Sequence, residues 1–423
     1  ILQGLLGVDF TFALAKGRAN YLCKRRLAMA QGDRRDEFLP LSSLLPDLEK
    51  LSEWAETSPD GSRSDLNFRV DPQLWLCVCS EASNCGGPQC KNYRNCFYWN
   101  ARKEWDKVDI LVCNHALFFV DLKQKAIEKQ ENSLLPDYAA AIFDEAHTME
   151  DSAANHLGLN LTSSSMRFFL NRLYNPASGR GLLCKPGEAS MELRRLLSNA
   201  QDACTLFFSQ YTLALERRDT DTLRILKLGE FNDGLSSQLK ELAKLLRSYI
   251  EDQEDQEFRT ELSSQLERCE SYAQSVSDFV SMGLENHVYW TEGKTSSYSQ
   301  SQTLSLKAAP LNVAAMLREI LFLRETPMIL TSATLTVRGK MDYFAGRVGY
   351  CEGELLALDS PFDYKKQVRL YLTRKLPEPS EAGFIEAASE EIKRFVIMTR
   401  GRAFVLFTSY SMLKDCAELL GPF

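Results

Sequence analysis

Two short apolar runs, each ending at a polar turn, constrain this chain more than any other feature. DYAAAIF (137–143) runs into Asp144-Glu145-Ala146-His147, and PMIL (327–330) runs into Thr331-Ser332-Ala333-Thr334-Leu335. Ile110–Cys113, within VDILVCNHALFFVDL (108–122), has the same form. Apolar runs of this length bounded by polar turns read as buried strands, and near-continuous apolar strands belong to parallel sheets covered on both faces. RAFVLFTSYSML (402–413) predicts one more such strand, opening into a helix. The chain is therefore expected to be α/β.

From about 160 to 285 the pattern changes. Leu235, Leu239, Leu242, Leu245 and Leu246 recur at helical spacing, the charged EDQEDQEFRTEL follows, and strand signals are nearly absent. An inserted all-helical domain is expected there. HVYW (287–290) and TLSLKA (303–308) flank a polar SSYSQSQ segment and are expected to pair as a hairpin. At 423 residues the chain has room for about three domains of ordinary size. No apolar run approaches the roughly 20 residues needed to cross a bilayer, so no membrane partner is expected. The opening ILQGLLGVDF lacks a basic flank, and Asp9 interrupts it, so it does not read as a signal peptide.

Asp144 and Glu145 stand where open α/β sheets bind ligands, at the carboxyl end of a strand. In a nucleotidase Asp144 would hold Mg²⁺, and Glu145 would orient or deprotonate the water that attacks the γ-phosphate. His147 would couple that chemistry to a neighbouring element. Acidic residues also favour helix N-termini, so the tetrapeptide alone leaves a catalytic site and a helix cap equally open. The hydroxyls of Ser332 and Thr334 suit bonding to a neighbouring acidic loop. Alone, that second motif reads as a turn; following DEAH in this order, it is a much stronger signal. Gly293-Lys294-Thr295 imitates the end of a phosphate-binding loop, but the first glycine of G-x-x-x-x-G-K-[ST] would fall at Val288, so it is rejected.

The stretch NCGGPQCKNYRNCFYW (84–99) sets Cys85, Cys90 and Cys96 among glycines, a proline and aromatics. Twelve cysteines without a secretory signal point to a reducing compartment, where thiols are metal ligands or core residues. Zinc usually takes C-x₂₋₄-C pairs, whereas five residues separate Cys90 from Cys96. The spacing favours iron–sulfur and leaves zinc open. Gly86-Gly87-Pro88 lets the backbone curl so that Cys85 and Cys90 face one centre. Cys79, near Cys77, is an alternative ligand, while Cys113, Cys184, Cys204, Cys269, Cys351 and Cys416 read as small buried apolar residues. The net charge of −7 excludes a globally basic nucleic-acid binder but permits local strips such as Lys16, Arg18, Lys24, Arg25 and Arg26 around Cys23. Tyr93, Phe97, Tyr98 and Trp99, interleaved with Lys91, Arg94, Arg102 and Lys103, suit either stacking of single-stranded DNA or shielding of a metal centre. Asn114 and His115 end a strand, where they touch DNA or nucleotide, or else cap the next helix.

With these motifs in order, the sequence resembles a known family. DEAH followed by TSATL is similar to motifs II and III of superfamily 2 helicases, and the cysteine-bearing insert narrows the likeness to the iron–sulfur helicases related to XPD. GRANYLCKRRL (17–27), the Cys85, Cys90, Cys96 triad and NHALFFVDL (114–122) resemble the bacterial DinG/YoaA branch, and SPFDY (360–364) and GRAFVLFTSYSML (401–413) resemble the opening of its second motor domain. The resemblance implies a RecA-like parallel-sheet motor with an inserted iron–sulfur domain and an inserted all-α arch. Its expected boundaries are motor domain 1 at 1–22, 108–158 and 286–345, the cluster domain at 23–107, the arch at 159–285 and motor domain 2 from 346 to 423. It implies Cys23 as the fourth ligand of a [4Fe–4S] cluster, since such clusters take four thiolates. It further implies a cytoplasmic, ATP- and Mg²⁺-dependent helicase moving 5′→3′ on single-stranded or forked DNA in repair or replication. His147, Ser332 and Thr334 would relay nucleotide state, Lys91, Arg94, Tyr98, Asn114 and His115 would meet DNA, and repair or replication proteins would be partners. A Walker A lysine and motifs V and VI are absent from the sequence, so it is expected to be the central part of a longer protein and inactive by itself. A non-catalytic DNA-binding or redox-sensing module, and a DinG-type exonuclease, are the alternatives.

Overall fold

The computed structural model describes residues 2–33, 35–39, 41–126, 134–295, 302–350, 352–373 and 376–421. The polar turn of the expected hairpin (296–301) and Cys351 lie outside the described residues. The chain divides into two compact units, 1–353 and 354–423.

The first unit contains strands β1 (Phe12–Ala15), β2 (Ile110–Cys113), β3 (Ala141–Phe143), β4 (Leu159–Thr162), β5 (Thr222–Ile225), β6 (His287–Thr295), β7 (Gln302–Pro310) and β8 (Met328–Leu330). The helices that matter to the sites are α1 (Lys24–Gln31), α2 (His115–Ala126), α3 (Met149–Leu157), α4 (Ser163–Leu173), α5 (Glu188–Arg217), α6 (Leu235–Glu251) and α7 (Gln256–Val280).

β1 pairs with β2, and β3 with β8, both in parallel. The apolar runs do form parallel strands, but not covered on both faces. Phe12, Ile110, Ile142 and Ile329 remain 68%, 42%, 71% and 54% exposed. Each sheet is two strands wide among the described residues, and packing covers mainly the side on which Ala15 and Phe143 are buried. The β3–β8 pairing has the larger consequence for function. Parallel register sets the carboxyl end of Phe143 beside that of Leu330, so the two polar motifs emerge next to each other.

The segment expected to be all helical also contains strands. β6 and β7 form the anticipated antiparallel hairpin, and β4 and β5 extend it into a four-stranded sheet of order β4-β7-β6-β5. Four-residue strands such as TLRI and LNLT carry too little periodicity to stand out beside helices of 17 to 30 residues. Helices α4, α5 and α7 pack against β7, so the hairpin and the helices share one core. Gly293 and Lys294 lie in the β6–β7 ladder opposite Leu304 and Thr303, a strand setting rather than a strand–loop–helix turn. Gly158, between α3 and β4, leaves no room for a side chain: a Cβ there would lie 2.2 Å from the Ala308 carbonyl oxygen.

In the second unit, helices Phe384–Met398 and Tyr410–Leu420 pack together, and Ser409 caps the latter by accepting from the Met412 N–H. The expected helix is present, but the strand before it is not. Residues 402–408 have no ladder partner among the described residues of this unit, and Phe404 is fully exposed. An apolar run becomes a strand only beside another strand. No described helix is long and apolar enough to cross a membrane.

Candidate active site and cysteine centre

Asp144 and Glu145 leave β3 in a tight turn. Glu145 adopts left-handed backbone geometry (φ 50°, ψ 44°), which costs a non-glycine residue on the order of 1 kcal/mol and is a recurrent mark of working sites. The turn is held from β8: the Thr331 N–H donates to the Phe143 carbonyl at 2.8 Å, and the Ala146 N–H to the Thr331 carbonyl at 2.9 Å. His147 Nδ1 then lies 2.8 Å from Ser332 Oγ and 3.2 Å from Glu145 Oε2, while Ser332 Oγ donates to Glu145 Oε2 at 3.4 Å. The Thr334 N–H donates to Ser332 Oγ at 3.3 Å. Acid, imidazole and hydroxyl thus meet in one exposed triangle, and Asp144 accepts from the Glu145 N–H at 3.0 Å.

A third segment joins this triangle. Thr148 Oγ1 donates to the Glu145 carbonyl at 3.0 Å and lies 3.2 Å from His115 Nδ1. Asn114 takes the structural option: its Oδ1 accepts from the Leu117 N–H at 2.9 Å, capping α2.

Cys23, Cys85, Cys90 and Cys96 line one cavity, with Arg25, Asn84, Tyr93 and Trp99 among the other walls. Cys23 stands at the start of α1, its N–H donating to the Val78 carbonyl at 2.8 Å. Between Cys85 and Cys90 the chain curls through Gly87, whose φ of +53° is a conformation glycine adopts freely, and the Cys90 N–H closes the turn on the Gly87 carbonyl. Burial works against the Cys85 thiolate, but the Gly87 N–H, the Trp99 indole and Arg18 outweigh it and hold this thiol below its ordinary value. The Trp99 Nε1–H donates to Cys85 Sγ at 3.4 Å. Burial raises Cys23 and Cys96, and Cys96 also feels the nearby Cys23 and Cys85. Among the described residues no three metal-binding side chains converge closely enough to hold one ion.

The remaining cysteines sort by burial. Cys79, the alternative ligand, is 1% exposed, lies outside the cavity lining, and is pushed up to about 11 by burial. Cys77, Cys204, Cys269 and Cys416 are buried, whereas Cys113 and Cys184 are only half-buried, so for those two the expectation of a buried apolar residue does not hold.

The aromatics are mostly occupied. Tyr98 is 3% exposed beneath the Arg18 guanidinium, 4.0 Å from its ring centre, and packs edge-on against Tyr21, Trp99 and Trp105. Little of its ring faces solvent. Lys91 and Arg94 are exposed, Lys91 pairing with Glu257 at 3.1 Å.

A buried charge network next to the cavity was not singled out from the sequence. Glu261 of α7 is fully buried among Arg25, Arg26, Arg172 and Asn84. Burial disfavours its carboxylate, but Arg26 and Arg172 prevail and lower it to about 2. In the sequence it sits in a strongly charged run that reads as a solvated face. The available signal was spacing, since Glu257, Glu261, Ser264 and Arg268 fall on one helical stripe.

A scan against protein-family models finds no match. Among curated proteins, the ATP-dependent DNA helicase YoaA of Escherichia coli (strain K12) is 30% identical over 424 residues, 96% of this chain and 60% of that protein. YoaA of Haemophilus influenzae is 30% identical over 427 residues, covering 97% and 61%. The ATP-dependent helicase DinG of Mycobacterium tuberculosis (strain H37Rv) is 28% identical over 429 residues, covering 97% and 60%. The chain thus spans about 60% of the length of the curated relatives it matches. It has an α/β fold in which an acidic turn and a hydroxyl turn close on each other at the ends of parallel strands. In sequence it is DinG/YoaA-like along nearly its whole length.

Proposed function

We propose that this chain is the central part of an ATP-dependent DNA helicase motor of the iron–sulfur type. The observation that carries the reading is the triangle of Glu145, His147 and Ser332, because it ties a hydrolytic carboxylate to a turn on the neighbouring strand. Asp144 holds Mg²⁺, Glu145 positions or deprotonates the attacking water, and His147, Ser332 and Thr334 report nucleotide state to the adjoining elements. His115, through Thr148, adds the NHALFF segment to that relay. The division proposed is motor domain 1 (1–22, 108–158, 286–345) around a cluster domain (23–107) and an arch (159–285), followed by the start of motor domain 2 (346–423).

Cys23, Cys85, Cys90 and Cys96 would hold a [4Fe–4S] cluster. The donor set fits it: a cube takes one thiolate on each of its four irons, and these four cysteines line one cavity. When bound, the cluster supplies a rigid crosslink and a redox-active centre. Lys91 and Arg94 offer exposed cations to DNA phosphates. The protein works in the cytoplasm on single-stranded or forked DNA.

The test is strand displacement by a protein that carries this chain with its complete motor. A duplex with a 5′ single-stranded tail is separated in the presence of ATP and Mg²⁺, and one with only a 3′ tail is not. ATP-independent separation, or none from either substrate, contradicts the proposal.

A further inference from the structure

Helix α7 presents Glu257, Glu261, Ser264 and Arg268 along one face, and each meets the cysteine-bearing segment. Glu257 pairs with Lys91 at 3.1 Å, Ser264 Oγ lies 2.7 Å from Ser83 Oγ, and Arg268 reaches Glu81 at 3.1 Å. Glu261 is the buried centre of this stripe. Arg25 and Arg26 approach it at 3.7 and 3.5 Å, Arg172 of α4 pairs with it directly, and the Asn84 amide donates to it.

These partners are sequence neighbours of two thiols. Asn84 precedes Cys85, and Arg25 and Arg26 follow Cys23 by two and three residues. Arg25 also donates to the Asn84 carbonyl at 2.8 Å and to its side-chain oxygen, and Arg26 donates to the Cys79 carbonyl at 2.6 Å. One carboxylate from a distant part of the chain therefore clamps together the two segments that carry Cys23 and Cys85. A buried ion held this way depends entirely on its partners, and they on it. Leu262, next to it on the helix, is instead fully buried in apolar packing.

We infer that Glu261 is a positioning residue for the cysteine centre: it fixes the Cys23 and Cys85 segments relative to each other from the α7 side. The inference rests on the four cysteines being a working site, but its test reads the backbone around them and needs no metal.

The experiment is amide hydrogen exchange, resolved by peptide, on the reduced, metal-free full chain. In Glu261→Gln, peptides covering 21–27 and 81–91 exchange about tenfold faster, because losing the charged partner of a buried hydrogen-bonded network lowers the cost of local opening. Peptides from 266–280 of the same helix keep their protection. Arg25→Gln, which leaves the α7 side intact, reproduces the pattern, while Leu262→Ala does not. Unchanged exchange in 21–27 and 81–91 overturns the inference. So does acceleration that appears only together with 266–280, or equally in Leu262→Ala, because the glutamate would then merely hold the helices together. In iron-reconstituted protein a chelator removes iron about tenfold faster from Glu261→Gln. Failure of the unaltered chain to take up iron refutes the cluster reading instead, and the exchange result still decides the role of Glu261.

Discussion

Glu145→Gln, placed in a protein with its complete motor, lowers the kcat for ATP hydrolysis about a thousandfold, within the range attributed to a positioned general base. The size follows from what the substitution keeps and removes. Glutamine preserves side-chain length and a carbonyl oxygen to accept from Ser332, so the left-handed turn and its bonds to Thr331 persist. Only the basic, charged oxygen is lost, and with it the capacity to accept a proton from the attacking water. KM for ATP changes little, since Asp144 and the backbone of the turn are unaltered. Steady-state kinetics on the paired proteins decides the matter. A fall in kcat of less than tenfold means that Glu145 is a cap, the bland reading the tetrapeptide allows.

The second large effect concerns Cys85→Ser. The segment between Ser80 and Cys96 contains only two short 3₁₀ turns, Gly87–Gln89 and Tyr93–Asn95, joined mostly by bonds between near neighbours. Beyond the contacts that anchor its Glu81–Asn84 end to α7, a stretch with so little regular structure gains order from what it binds, and metal binding free energy is then in part folding free energy. Serine removes the thiolate that the Gly87 N–H, Trp99 and Arg18 favour. Iron content falls to near zero, and trypsin cuts after the exposed Lys91 and Arg94 at least about tenfold faster than in iron-loaded protein. Chelation of the unaltered protein produces the same cleavage. Equal cleavage of loaded and mutant protein contradicts this account.

The candidate site was legible where chemistry and local pattern coincide. DEAH and TSATL could be paired in advance because each follows an apolar run, and parallel pairing of β3 with β8 is what brings them together. Cys85, Cys90 and Cys96 were legible from their spacing and the glycines between them, and Cys23 only through the family resemblance; all four line one cavity. The hairpin was legible from two apolar runs around a polar stretch. Other features depended on tertiary partners. The run at 402–408 has strand composition but no neighbouring strand, and β4 and β5 are strands only because the hairpin pairs with them. Tyr98 has the composition of a stacking residue, yet Arg18, eighty residues earlier, covers it. Glu261 sits in a run that resembles a solvated helix face, and its burial depends on arginines 89 and more than 200 residues away. Sequence spacing marks the stripe it belongs to but not the surface that receives it.

The most direct test of the central assignment is iron, acid-labile sulfide and zinc content with a visible spectrum, measured on the anaerobically purified chain. About four irons with matching sulfide per chain and a brown, broadly absorbing protein are the predicted result. A colourless protein with stoichiometric zinc would contradict it, because the same cysteines would then hold a metal that the iron–sulfur helicase reading does not use.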